Sequence, residues 1–386
     1  MALMDDVAAA EAVAWRHELH AHPELLFAVE RTAGFVAGKL RAFGCDAVVE
    51  GVGRTGVVGV VRGRTAGGRT VALRSDMDAL PITEATGLPY RSTVPGRMHA
   101  CGHDGHMAML LAAARHLCAT RDFAGTVALV FQPAEEGGGG ARVMLEDGLL
   151  ERFGIDEVYG MHALPGLPVG HFAIRPGPIM AAADRFEISI TGRGGHAAMP
   201  HLCADPLLAG AQMVVALQSV VARNVDPLDA CVLSVTQFEA GAAQNAIPNA
   251  ARLAGTARVL KPATRLMVEN RTRAVVAGLA AALGVEATVQ WTGGYPVTVN
   301  DPERAAFCAG VAADVVGAGR VDDAIEPMMG AEDFSYMLEQ RPGAFLFLGN
   351  GASAGLHNPG FDFADAALPF GAEYWIRLVE TALPAT

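Results

Sequence analysis

The period of apolar and polar positions changes along this chain, and the changes outline its architecture. Over the first 180 residues, segments with apolar positions three and four apart alternate with short apolar runs. The spacing predicts helices over about Val7–Ala21, Thr32–Phe43 and Met107–Leu117. Strands are expected over Val57–Val61, Thr70–Leu73, Thr126–Phe131 and Glu157–Met161, and a later one over Phe345–Leu348. Strands separated by helices imply an α/β domain built on a mostly parallel sheet with helices on both faces.

The character changes between about Asp184 and Trp291. Arg185–Ile190 alternates strictly, as a half-exposed strand does. A helix over Pro206–Arg223 follows, then alternating Leu233–Phe238 and Arg252–Val259, a helix over Ala263–Leu283 and a strand over Val285–Trp291. The order β-α-β-β-α-β is that of a small ferredoxin-like α+β domain. Helix-strand alternation resumes after Tyr295-Pro296. The reading is a discontinuous larger domain, 1–183 and 295–386, carrying an inserted domain, 184–294.

The length of 386 residues supports two domains. With 51% hydrophobic and 18% charged residues the chain is globular. Its longest uncharged apolar stretch, Ala274–Val285, has about twelve residues against the roughly 18–20 that span a bilayer, so a buried helix is expected and a membrane is not. The start of the chain, with Asp5 and Asp6, is acidic where a signal peptide is basic. Six cysteines without a paired framework fit a reducing cytoplasm. A net charge of −12 argues against nucleic acid as partner.

Potential metal ligands sit just past the strand-like runs, where α/β sheets gather their ligands. They are Cys101 and His103 in Met98-His-Ala-Cys-Gly-His-Asp-Gly-His106, Glu136 in Gln132-Pro-Ala-Glu-Glu136, His162 and His357. Thiolate, imidazole and carboxylate together suit zinc, manganese, cobalt or nickel. Glu135, the second acid of the pair, is the type of group that accepts a proton from an activated water. Cys101 is expected to be sensitive to oxidation once metal is removed. Gly137–Gly140 lacks the Gly-Lys-Ser/Thr of a phosphate loop. His17, His20 and His22 read as a solvated surface group, and Cys45, Cys118, Cys203, Cys231 and Cys308 as small core residues.

Arg74-Ser-Asp-Met-Asp-Ala-Leu-Pro81, the Met98–His106 run, Phe131-Gln-Pro-Ala-Glu-Glu-Gly137, Gly192-Arg-Gly-Gly-His196 and Leu356-His-Asn-Pro359 resemble the M20 metallopeptidase family. The likeness is to its amidohydrolase branch and spans nearly the whole chain in family order. It implies two divalent ions per subunit held by Cys101, His103, Glu136, His162 and His357, with Glu135 as general base. It implies that the insert is a lid that pairs two copies in a homodimer or higher homo-oligomer. His196, Asn245 and Arg258 match lid residues that approach substrate, His196 as an oxyanion donor. Asp76 stands where the wider superfamily has the histidine of a His-x-Asp motif, and Asp78 is expected to orient a ligand histidine. The implied activity is hydrolysis of an N-acyl amino acid to a carboxylate and a free amino acid. Dipeptide cleavage, and metal or ligand binding without catalysis, are the alternatives.

Overall fold

Asp5 accepts a hydrogen bond from the Ala8 amide at 2.7 Å and starts the helix Asp6–Ala21, as a short acidic side chain does at an N-cap. The computed structural model describes residues 5–385; residues 1–4, part of the acidic start noted above, lie outside them. The described residues form two units. The larger runs to Ile179 and takes in Val299–Glu326 and the chain from Asp333, and the smaller holds Met180–Thr298 and Pro327–Glu332.

The larger unit is built on an eight-stranded sheet. Its spatial order is Ala47–Val52, Gly56–Arg62, Ala124–Gln132, Thr65–Asp76, Glu157–Leu164, Gly343–Gly349, Phe172–Ala173 and Val321–Asp322. The strands from Ala124–Gln132 to Gly343–Gly349 are mutually parallel. Those beyond Ala124–Gln132 on one side, and Phe172–Ala173 on the other, join antiparallel. The sheet is therefore mixed at its flanks. The reason is burial: Gly343–Gly349 is buried along its whole length, as parallel strands covered on both faces are, whereas the edge strand Ala47–Val52 is mostly exposed.

Parallel pairing aligns the strand ends. Asp76 is paired with Gln132, and Leu164 with Gly349. The chain leaving each strand there carries the candidate chemistry. The helix His103–Thr120 is buried over most of its surface, with Leu110, Leu111 and Leu117 in the main core. It fixes the turn at its own N-terminus.

In the smaller unit the sheet order is Cys231–Ala240, Ala250–Val259, Ala182–Thr191 and Glu286–Gly293, all antiparallel. That is the ferredoxin-like arrangement. Along Ala182–Thr191 burial alternates, with Phe186, Ile188 and Ile190 facing the helices Pro206–Asn224 and Pro262–Leu283. Asp205 caps the first helix through the Leu207 and Leu208 amides, with Pro206 at its start. Asp184 ties the unit together, accepting from Arg265, from the Trp291 indole at 3.0 Å and from the Gly294 amide at 3.1 Å. Among the described residues the 19-residue helix Pro206–Asn224, rather than Ala274–Val285, is the segment long and apolar enough to cross a membrane by length and composition. Ala209, Met213, Leu217 and Val220 on it are buried in the small unit's core, as in a core helix of that length.

Candidate active site

Two turns of the larger unit supply most of the site. Gly102, with φ 89°, turns the chain so that Cys101 precedes and His103 opens the helix His103–Thr120. After Gln132, Ala134 takes a left-handed conformation (φ 56°) and its amide donates to the Leu26 carbonyl at 3.1 Å. The Gly140 amide returns to the Ala134 carbonyl at 3.0 Å. A Cβ on Gly140 would lie 1.6 Å from the Pro133 oxygen. The glycine run therefore serves close backbone approach beneath the acidic pair.

Asp78 sets the direction of that pair. Its carboxylate accepts from the Glu135 amide at 2.9 Å and the Glu136 amide at 3.0 Å. Its backbone carbonyl accepts from His103 Nδ1 at 2.7 Å, which leaves Nε2 turned into the site. Asp78 thus orients the histidine through its main chain and the glutamates through its side chain. His162 donates from Nδ1 to the Ala163 carbonyl at 2.8 Å, and its Nε2 lies 3.3 Å from Cys101 Sγ. His357, in a left-handed conformation (φ 61°), is anchored by its amide to the Ala100 carbonyl at 2.8 Å. Its Nε2 is 3.2 Å from Glu136 Oε1. Non-glycine residues in this region of φ are strained and are found at functional sites.

The donor atoms converge in overlapping triples whose members lie within 4.8 Å of one another: Cys101, His103 and His162; Cys101, Glu136 and His357; His103, Glu135 and Glu136. His103 Nε2 is buried without a hydrogen-bond partner among the described residues. Polar atoms left in that condition cost free energy unless something else satisfies them. Burial, and then His106, holds His162 well below the usual histidine range, so it is a neutral imidazole with a lone pair to give. Burial, and then Glu136 and Glu135, pushes the Cys101 thiol well up. A cation beside it is what would favour the thiolate. The residues fit divalent metal on each of these counts. Where no cation stands beside it, burial and the two glutamates disfavour the Cys101 thiolate, which weighs against the expected oxidation sensitivity without metal.

Other members of the same turns have different duties. His106 donates from Nδ1 to Asp76 at 2.7 Å and accepts the Ala163 amide at Nε2 at 2.9 Å, so both ring nitrogens are occupied. Burial alone would raise the Asp76 carboxyl, but His103, His106 and Arg74 overturn that and hold it well below the carboxylate range. Asp104 accepts from Arg16 at 3.2 Å and from His20 at 2.9 Å. His20 is thus fully buried, against the solvated-surface reading, while His17 is half-buried against Asp365 at 2.9 Å. Cys118 and Cys308 are core residues, and Cys45, Cys203 and Cys231 are only partly covered.

Sequence reasoning missed Asp333. It accepts from Arg74 at 3.0 Å, from Gln132 at 2.7 Å and from the Ala141 amide at 2.9 Å, pinning both ends of the glutamate loop. The acidic pair Glu332-Asp333 ahead of Phe334 was the available signal. Within the smaller unit, the ladder that pairs His196 with Ala246 puts His196 beside Asn245, and both are exposed. The His196 Nδ1 accepts from the Ala198 amide at 3.1 Å, leaving Nε2 outward. Arg258 lies on the sheet face opposite the helices, half-buried, in a cleft of about 470 Å³ shared with Arg185, Thr256 and Thr292.

Comparison with known proteins agrees with this chemistry. Residues 72–381 match the profile of peptidase family M20/M25/M40. The chain is 42% identical over 363 residues to a hippurate hydrolase of Campylobacter jejuni, covering 94% of each. It is 38% identical over 369 residues to an N-acetylcysteine deacetylase of Bacillus subtilis, covering 95% of this chain and 96% of that one. Among solved structures, the YXEP protein of Bacillus subtilis, described as a dinuclear metal-binding peptidase, superposes with a TM-score of 0.87 at 34% identity. That superposition covers 99% of this chain and 100% of the other. With the match running through most of its length, the chain belongs to peptidase family M20/M25/M40 and is a metal-dependent enzyme of its amidohydrolase branch.

Proposed function

We propose that this enzyme hydrolyses the amide bond of N-acyl amino acids of the hippurate or N-acetyl type, with Glu135 as general base. The observation that carries the reading is the placement of the Glu135 carboxylate among the candidate ligands. It is buried, its amide is fixed by Asp78, and its oxygen lies within 4.8 Å of ligand atoms of His103 and Glu136. The adjacent relatives act, by their names, on hippurate and on N-acetylcysteine.

Cys101, His103, Glu136, His162 and His357 would hold two divalent ions, with Cys101, His103 and Glu136 each common to more than one triple. Zinc, manganese, cobalt and nickel all suit this donor set. Such ions, when bound, polarise the amide carbonyl and lower the pKa of water toward neutrality. Glu135 accepts the proton of the attacking water and returns it to the departing nitrogen, so one carboxylate serves both halves of the reaction. The Nδ1 bonds of His103 and His162 keep their Nε2 atoms as acceptors throughout. His196 Nε2 donates to the oxygen that gains charge, and a donor of this kind contributes about 2.7–4 kcal/mol. Arg258 binds the amino-acid carboxylate, for which a guanidinium has matched geometry, and Asn245 adds an amide beside His196. We further propose a homodimer through the smaller unit, where Leu207, Leu208, Val215 and Phe238 are exposed large hydrophobics, and a cytoplasmic location.

The test is hydrolysis of matched N-acetyl, N-benzoyl and longer N-acyl amino acids, beside dipeptides, after loading with manganese, zinc or cobalt. The expected result is release of free amino acid from acyl substrates in preference to dipeptides. Preference for dipeptides would overturn the substrate class.

A further inference from the structure

Away from the site, two sulfur atoms face each other with no role in the chemistry above. Cys45 follows Gly44, whose left-handed conformation (φ 85°) ends the helix Glu30–Phe43. Cys118 lies in the last turn of His103–Thr120. The helices run together in the core, and the two Sγ atoms are 3.5 Å apart although the residues are 73 positions apart in sequence. We propose that Cys45 and Cys118 form a reversible intramolecular disulfide that ties the end of one helix to the end of the other.

The distance is the main argument. Two sulfurs at 3.5 Å are already in van der Waals contact, and bond formation requires an approach to about 2.05 Å. Both cysteines sit at helix ends, where small backbone shifts cost least. Access is the second argument. Cys45 is partly exposed, while Cys118 is nearly covered, so a small oxidant reaches one sulfur and the other waits beside it. Charge is the third. The Cys45 thiol donating toward Cys118, and the Arg121 guanidinium nearby, hold Cys118 below the ordinary thiol range. The same contact pushes the Cys45 thiol up, so the pair's thiolate rests on Cys118, and Cys45 becomes the nucleophile only once its proton has passed to Cys118.

The step balances with a low-molecular-weight disulfide such as oxidised glutathione. The Cys45 thiolate attacks one sulfur of the oxidant, forming a mixed disulfide and releasing one glutathione thiolate, which takes up a proton. The Cys118 thiolate then attacks Cys45 Sγ, the mixed bond breaks, and a second glutathione leaves. Two protein thiols are oxidised and one oxidant molecule is reduced to two thiols. Closing so long a loop restricts the unfolded chain, which stabilises the folded one.

The experiment uses the metal-loaded, full-length enzyme equilibrated with mixtures of oxidised and reduced glutathione, acid-quenched and mapped by mass spectrometry. A Cys45–Cys118 linked peptide should accumulate as the mixture becomes more oxidising and disappear on reduction. Oxidised wild type should also melt at a higher temperature than reduced wild type, a shift that Cys45→Ser and Cys118→Ser both lose. Should Cys45 and Cys118 remain thiols while other cysteines are oxidised, or should Cys45 carry glutathione that Cys118 never displaces, the proposal is overturned. A linked peptide with no change in melting temperature would likewise remove its stabilising role.

Discussion

The two turns of the larger unit and the smaller unit hold their candidate side chains in opposite ways. In the larger unit His103, His162 and Glu135 are buried, and each is fixed by a hydrogen bond from its own ring or backbone before any ligand arrives. In the smaller unit His196 and Asn245 are exposed, and Arg258 lines an open cleft, half-buried. The first arrangement fixes donor atoms where charge must be matched closely. The second leaves long or exposed side chains to be ordered by what they bind. On the proposed reading, metal and proton chemistry fall to the rigid region, and substrate contacts to the adaptable one.

That division predicts effects of different kinds and sizes. The largest should follow metal removal: chelation is expected to abolish hydrolysis, and a divalent ion to restore it, as measured by elemental analysis beside turnover. His103→Ala should resist such restoration, and full recovery in that variant would separate His103 from the ligand set.

Next in size is Asp78→Ala, which frees both glutamate amides and removes no candidate ligand. Supporting residues of this kind contribute about 10- to 100-fold in metal affinity or activity. Titration of the apo variant with metal reads the effect directly. An unchanged affinity and turnover would mean that the glutamates are held by other contacts.

In the smaller unit, Arg258→Ala should act on KM more than on kcat. Loss of a hydrogen bond to a charged group costs about 1.5–3 kcal/mol, or about 10- to 100-fold in kcat/KM. The effect should shrink on substrates that lack the amino-acid carboxylate. A fall confined to kcat, equal on both substrates, would move Arg258 out of substrate binding.

The smallest effect concerns pH and stability rather than catalysis. Burial opposes the charge of His20, but Asp104 and Glu84 outweigh it and raise its pKa to about 9. Arg16, Tyr90 and His99 pack around the same group. A pKa raised above its unfolded value of about 6.5 gives stability that is complete below that pH and declines as pH rises through about 9. Wild type should therefore exceed His20→Gln in denaturant midpoint most at pH 6, and the gap should narrow toward pH 10. A gap independent of pH would assign His20 a packing role alone.

The candidate site was legible where side chains that converge follow local order. Glu135 and Glu136 lie just past the strand Ala124–Gln132, whose end parallel pairing aligns with that of Thr65–Asp76, and Cys101 and His103 lie in one short run at the start of the helix His103–Thr120. Alternation likewise announced the small sheet, because each strand has one buried and one open face. What escaped was decided by contacts distant in sequence. Nothing near His20 indicates burial, since Asp104 lies 84 positions away. Asp333 meets Gln132 across 201 positions, so no local spacing joins them. The edge strand Ala47–Val52 escaped because its weak alternation does not distinguish it from a loop until Gly56–Arg62 pairs with it.

The assignment of Glu135 bears the whole mechanism, and Glu135→Gln tests it most directly. The amide is nearly isosteric, and Asp78 holds residue 135 by its backbone amide, which the substitution leaves in place. Bound metal and turnover should be measured on the same preparation. The account predicts a full complement of metal with turnover lowered about 10²- to 10⁴-fold. Near-normal turnover in the fully metallated variant would contradict it.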